Sequence, residues 1–274
     1  MIQRILTASL LIPLVLLTIY WFPFELFLLL IDVVAVLAMW EYLHLLNHHG
    51  GHSFPVVYPC VVLMPWLAGF TPQWIPAFLV LTLLMLAASA LVQIRTLREG
   101  LLSISGNTFG LIYLGLPLTL AALFHPRLPG GVGGWERANE LLLIFLTVWI
   151  SDSAAYFLGR AIGKHHVFAH ISPKKSLEGF LAGILVPVIL IPLLGRYLLP
   201  ESSTTFLIAA ALLVSVAGIA GDLLESMFKR GAQVKDSSSL LPGHGGILDR
   251  IDSLLLAVPA YFVLKVLLES ASLS

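Results

Sequence analysis

The stretch Thr204-Thr205-Phe206-Leu207-Ile208-Ala209-Ala210-Ala211-Leu212-Leu213-Val214-Ser215-Val216-Ala217-Gly218-Ile219-Ala220-Gly221-Asp222-Leu223-Leu224-Glu225-Ser226 carries no charge until Asp222. A bilayer core of ~30 Å needs ~20 apolar helical residues at ~1.5 Å of rise each. The stretch therefore reads as a membrane-spanning helix with acids at one end. Asp222, Glu225 and Ser226 stand three and four residues apart, which puts them on one face of that helix. An ionised side chain at membrane depth is expensive and normally faces a partner or a wet cavity.

Working outward, comparable apolar runs fall near 5–22, 24–43, 55–71, 74–93, 104–124, 140–159, 178–199 and 251–269. With 204–226 they predict an all-α, polytopic membrane protein of about nine transmembrane helices. Residues 1–100 are expected to form N-terminal transmembrane helices, and 101–274 a C-terminal transmembrane catalytic region. Of 274 residues, 58% are hydrophobic and 11% charged, with a mean hydropathy of +0.96. A soluble domain holds ~25% charged residues, so this chain is solvated by lipid. The run after Arg4 lacks a small-x-small cleavage site at Trp21-Phe22-Pro23 and reads as a retained span. Pro55, Pro59, Pro65, Pro72 and Pro76 punctuate the third and fourth runs, where a re-entrant pair is the competing arrangement.

Placing the N-terminus in the cytoplasm puts eleven basic residues inside: Arg4, Arg95, Arg98, Arg160, Lys164, Lys174, Lys175, Lys229, Arg230, Lys235 and Arg250. Arg127, Arg137, Arg196 and Lys265 fall outside, so the bias follows the positive-inside rule. Lys plus Arg and Asp plus Glu both number 15, a balance that favours no nucleic-acid partner. Cys60 stands alone and forms no internal disulfide. His44, His48, His49 and His52 lack an accompanying carboxylate or cysteine and read as an interfacial polar loop rather than a metal site.

Three inner segments hold most of the remaining polar residues: 151–179, 220–230 and 235–253. Asp249 and Asp252 share a face at the start of the last helix. Two helix ends, each with a carboxylate, suit Mg²⁺, which takes one or two carboxylates plus water and substrate phosphates. The structural alternative is that Asp222 and Asp249 pair with Lys229 and Arg250. Pro242-Gly243-His244-Gly245-Gly246 precedes a helix opening near Leu248, and amides at a helix N-terminus bind anions. Lys235 and Arg250 flank that turn as phosphate ligands. Acids, bases and glycines in one layer point to a nucleoside triphosphate. There is no Gly-x-x-x-x-Gly-Lys-Ser/Thr loop and no Gly-x-Gly-x-x-Gly. Asp152 has no histidine in register for a hydrolase triad.

Ser226-x-x-Lys229-Arg230-x4-Lys235-Asp236-x-Ser238-x-x-Leu241-Pro242-x-His244-Gly245-Gly246-Ile247-x-Asp249-Arg250-Ile251-Asp252 resembles the signature of phosphatidate cytidylyltransferases (CDP-diglyceride synthases). Ser151-Asp152-Ser153-Ala154-Ala155-Tyr156 and Ser172-Pro173-Lys174-Lys175-Ser176-x-Glu178-Gly179 are also similar to that family. Residues 1–100 match it only in general character. The resemblance implies that phosphatidate and CTP give CDP-diacylglycerol and pyrophosphate, in a bacterial inner membrane with the site facing the cytoplasm. It implies Mg²⁺, K⁺ as a second cation, and a homodimer. By position it makes Asp222 and Asp249 the metal carboxylates, with Lys229, Arg230, Lys235 and Arg250 as phosphate ligands in the catalytic set. Lys174, Lys175, Ser226, His244, Gly245, Gly246 and Asp152 become substrate-binding residues.

Phosphatidate already carries a nucleophilic phosphate oxygen, so attack on the α-phosphorus of CTP chiefly needs positioning and charge neutralisation. A CTP-dependent lipid kinase is the rival enzyme; it would transfer the γ-phosphoryl group instead. A secondary transporter is the rival from another class, though its acids belong nearer the bilayer midplane.

Overall fold

The computed structural model describes residues 13–93, 96–129, 134–167, 170–173, 175–240 and 245–272. Regular structure among them is helical. Helix α1 is described over residues 13–20. It is followed by α2 (Phe24–His48), α3 (Val57–Phe70), a 3₁₀ turn at Pro72–Trp74, α4 (Ile75–Gln93) and α5 (Leu97–Gly110). A π-helical turn at Leu111–Gly115 leads into α6 (Leu116–Leu123). Then come α7 (Gly134–Ile162), α8 (Leu177–Leu198), α9 (Thr204–Gly231) and α10 (Leu248–Ser272).

Among the described residues seven helices are long and apolar enough to cross a membrane: Phe24–His48, Pro72–Gln93, Leu97–Leu123, Gly134–Ile162, Leu177–Leu198, Thr204–Gly231 and Leu248–Leu268. The protein is an all-α, polytopic membrane protein. Seven of the nine expected runs correspond to these helices. Residues 5–12 of the run at 5–22 lie outside the described residues, as does Arg4. The run at 55–71 yields only the 14-residue α3, which at ~1.5 Å per residue falls short of a ~30 Å core. Pro72 ends it: the residue before a proline is pushed out of the helical region, and Thr71 stands at φ −144°.

The chain divides into two compact units, Met1–Val132 with Phe228–Arg250, and Gly133–Met227 with Ile251–Ser274. In the first unit, α2 turns Leu28, Ala35, Met39 and Leu43 inward, each at most 2% exposed. Fully buried Asn107 fastens the loop after α2. Its carboxamide oxygen accepts from Phe54 N at 2.8 Å, and its amide donates to His52 O and Ser103 O at 2.7 Å. Pro117 has no N–H for the carbonyl four residues back, and the preceding turn widens to π geometry. Tyr113 from that turn, Tyr42, Phe109 and Phe228 form an aromatic box with centroids 5.4–6.4 Å apart.

In the second unit α7 and α8 cross at small residues. A Cβ on Gly179 would lie 2.8 Å from Ala155 O and 3.0 Å from Gly159 Cα. One on Gly183 would lie 3.2 Å from Ser151 O. Close backbone approach between membrane helices is what small residues permit. Ser176 caps α8, its hydroxyl accepting from Gly179 N at 3.2 Å. Glu178, in the first turn, accepts from Lys164 N and His165 N at 3.0 and 3.2 Å and pairs with the His165 ring at 2.6 Å. It thereby holds the end of the preceding loop against α8. Lys265 of α10 pairs with largely buried Glu140 of α7 at 2.6 Å.

Candidate active site

The crossing of α7 and α8 opens, with the acidic end of α9, into a cavity of 630 Å³ in the second unit. Asp152, Tyr156 and Arg160 line it from α7, Lys175 and Phe180 from the α8 side, and Ile219 and Asp222 from α9. Asp152 and Arg160 are both exposed there. The Lys175 ammonium donates to Asp222 Oδ2, with about a third of each side chain exposed. Ser226 Oγ donates to Asp222 Oδ1 at 3.4 Å, one helical turn on. The wall is two-faced: acids and bases stand beside Phe180, Ile219 and Leu223. Such a space matches a ligand with a charged head and an apolar body.

Asp249 lies in the first unit, in the opening turn of α10, with its side chain 6% exposed. Its Oδ2 accepts from Ser237 N at 3.1 Å, Ser237 Oγ at 2.9 Å and Gly246 N at 2.7 Å. Its Oδ1 takes the Lys229 ammonium at 2.5 Å. The structural alternative read from sequence paired Asp222 and Asp249 with Lys229 and Arg250; in the structure Lys229 sits on Asp249, and Asp222 takes Lys175. Gly245 adopts φ +78°, which a side chain disfavours, and a Cβ there would lie 2.7 Å from Asp249 Oδ2. At Gly246 a Cβ would collide with Ser237 Oγ. Both glycines thus let carboxylates approach backbone.

The other expected residues are placed less tightly. Arg230 is exposed, its guanidinium donating to Val234 O at 3.1 Å. Lys235 and Arg250 are exposed. Lys174 and His244 lie outside the described residues. The expected histidine loop is half helix: His44 and His48 lie in the last turns of α2 with ring nitrogens 3.3 Å apart, while His49, just beyond it, faces Phe228 O at 3.5 Å. His52 faces Glu99 at 3.9 Å. Among the described residues no group of three or more His, Cys, Asp or Glu is set to hold a metal. A cation here would draw its remaining oxygens from water and phosphate.

Glu41 is the residue that sequence reading missed. It is 0% exposed, and its carboxylate accepts from Ser237 Oγ at 3.0 Å, Ser238 Oγ at 2.5 Å, Ile247 N at 3.0 Å and Leu248 N at 2.7 Å. The available signal was an acid, Trp40-Glu41-Tyr42, near the end of the apolar run 24–43 that also carries Asp32, since a carboxylate in such a span points to a functional site.

The model of the cytidylyltransferase family matches residues 2–268. A phosphatidate cytidylyltransferase of Pseudomonas aeruginosa is 36% identical over 266 residues, 96% of each chain. One from Haemophilus influenzae is 46% identical over 133 residues, 46% of each chain. One from Staphylococcus epidermidis is 40% identical over 131 residues, 48% of this chain and 50% of its own. With the family match running nearly end to end, this chain belongs to the cytidylyltransferase family.

Proposed function

We propose that this protein transfers the cytidylyl group of CTP to phosphatidate, giving CDP-diacylglycerol and pyrophosphate for phospholipid synthesis. The observation that carries the reading is the 36% identity to the Pseudomonas aeruginosa protein over 96% of each chain. The amphipathic cavity supports it: Arg160 and Lys175 offer charge to a headgroup phosphate, and Phe180, Ile219 and Leu223 offer apolar surface to the glycerol and acyl stems. A phosphate oxygen of phosphatidate attacks the α-phosphorus of CTP. The new P–O bond forms as the bond from that phosphorus to the bridging oxygen breaks, and pyrophosphate leaves.

Mg²⁺ belongs to the proposal, with Asp222 and Asp249 as its carboxylates and K⁺ as a second cation. Each aspartate taken by itself fits a cation, since each already carries a lysine ammonium as a stand-in for cationic charge. When bound, Mg²⁺ neutralises the phosphate oxygens of CTP and of the departing pyrophosphate. The protein's own residues bring two anions together and keep them there. Lys229, Arg230, Lys235 and Arg250 offset negative charge as it moves onto the leaving group. Lys174, Lys175, Asp152, Ser226, His244, Gly245 and Gly246 complete the substrate contacts. The proposal places the enzyme as a homodimer in a bacterial inner membrane, its site open to the cytoplasm where CTP arrives.

The test supplies phosphatidate and CTP labelled at the α- or γ-phosphate to the purified protein in detergent. Label from the α-position is expected in the lipid fraction, with unlabelled lipid from γ-labelled CTP. Lipid labelled only from the γ-position would make the protein a CTP-dependent kinase and overturn the reading.

A further inference from the structure

We infer that Glu41 is a positioning residue for this reaction: a buried carboxylate from α2 that holds Ser237–Ser238 and Ile247–Leu248 so that Asp249 and its amide partners are presented in one geometry. The inference rests on the cytidylyl-transfer reading above.

A carboxylate buried at 0% exposure is stable only when hydrogen bonds replace water. Among the described residues Glu41 has four, and all reach one segment about 200 residues away in sequence. Two come from the hydroxyls of Ser237 and Ser238. Two come from Ile247 N and Leu248 N, amides at the start of α10 that no helical carbonyl can satisfy. Glu41 therefore clamps both ends of the loop, Ser237–Ser238 at its entrance and Ile247–Leu248 at its exit.

Asp249 is braced against the same loop. Ser237 Oγ lies 3.0 Å from Glu41 Oε2 and 2.9 Å from Asp249 Oδ2, so its single hydroxyl proton is shared between the two carboxylates. Gly246 N completes the brace from the other side at 2.7 Å. The missing side chain at Gly246 has a second use, since a Cβ there would also collide with both Glu41 oxygens. The loop has been left bare where Glu41 enters it.

The requirement is for a carboxylate and not merely for a side chain of this size. Each Glu41 oxygen accepts one backbone N–H, Ile247 N on Oε1 and Leu248 N on Oε2. Glutamine turns an NH₂ toward one of those amides in either orientation, setting donor against donor. Aspartate keeps the charge but loses the reach of one methylene.

The experiment compares Glu41→Gln, Glu41→Asp and Ser238→Ala with the wild type, each scored per folded, monodisperse molecule in detergent. Hydrogen exchange of the 237–248 amides is read alongside turnover. For Glu41→Gln, kcat is expected to fall about 100-fold while KM for phosphatidate stays within about twofold, and the Ile247 and Leu248 amides exchange faster. Ser238→Ala is expected to fall severalfold in the same direction, and it keeps the test alive if Glu41→Gln fails to fold. Glu41→Asp should recover part of kcat. Wild-type kcat per folded molecule in Glu41→Gln, or in Ser238→Ala where Glu41→Gln does not fold, would reduce Glu41 to a stability element and overturn the inference. A wild-type protein that leaves α-label out of lipid would instead sink the parent reading.

Discussion

Asp249 shows how much one side chain can be asked to do. Ser237 N, Ser237 Oγ and Gly246 N reach Oδ2, and the Lys229 ammonium reaches Oδ1. In Asp249→Asn the amide oxygen suits the three donors, so its NH₂ is driven against Lys229. Cytidylyl transfer is expected to fall about 10²–10³-fold in a protein that still elutes as a single species, measured by label transfer from α-labelled CTP. Arg250 is exposed, as its expected role of phosphate ligand requires. Arg250→Ala is predicted to raise KM for CTP about tenfold, the loss of one charge-assisted contact, in a CTP titration at saturating phosphatidate. An unchanged titration would assign Arg250 to a structural role.

His125 makes a residue-scale prediction about pH. It lies just beyond α6, 0% exposed, stacked on Phe27 at 4.7 Å. Burial first, and the Arg127 charge after it, push the imidazole down to about 4 against nearby carbonyls that pull it upward. The unfolded chain, with an ordinary histidine near 6.5, binds this proton more readily than the folded protein does. Stability from this group is therefore complete above about pH 6.5 and is lost as pH falls toward about 4, roughly 3 kcal/mol in all. Thermal unfolding in detergent at pH 7 and pH 5 should show the loss, and His125→Gln should flatten it.

At the scale of elements, the α7–α8 crossing decides whether the cavity exists. Gly179→Ala sets a methyl against Ala155 O and Gly159 Cα, both backbone. No rotamer relieves that, and a cost of about 1–3 kcal/mol is expected. Ser176→Ala removes the α8 cap for about 1 kcal/mol. Thermal unfolding ranks the two. If Gly179→Ala unfolds like the wild type, the crossing is looser than these distances state. The helices themselves were legible because an apolar run of spanning length is a local property. The π turn before Pro117 and the shortness of α3 were less so: each depends on which carbonyl or neighbour meets a proline.

For the whole molecule, the expected topology is open to direct labelling, because the native thiol, Cys60, is buried. Glu201→Cys and Ser239→Cys place exposed thiols between α8 and α9 and in the loop before α10. A membrane-impermeant maleimide is predicted to reach Ser239→Cys only from the cytoplasmic side and Glu201→Cys only from the other. The reverse pattern would invert the proposed orientation. The homodimer is tested by mass measurement of the purified protein in detergent micelles.

Sequence alone determined that the chain is a helical membrane protein and carried the signature by which its family is known. Both are written in consecutive residues: hydropathy sums along the chain, and the motif lies within 226–252. Only the tertiary structure decided that Lys175 meets Asp222, that Lys229 meets Asp249, and that Glu41 enters the loop beside Gly246. Those pairings join residues from 20 to 207 positions apart. A buried charge accepts whichever donors the fold brings within about 3 Å, and no local pattern specifies them.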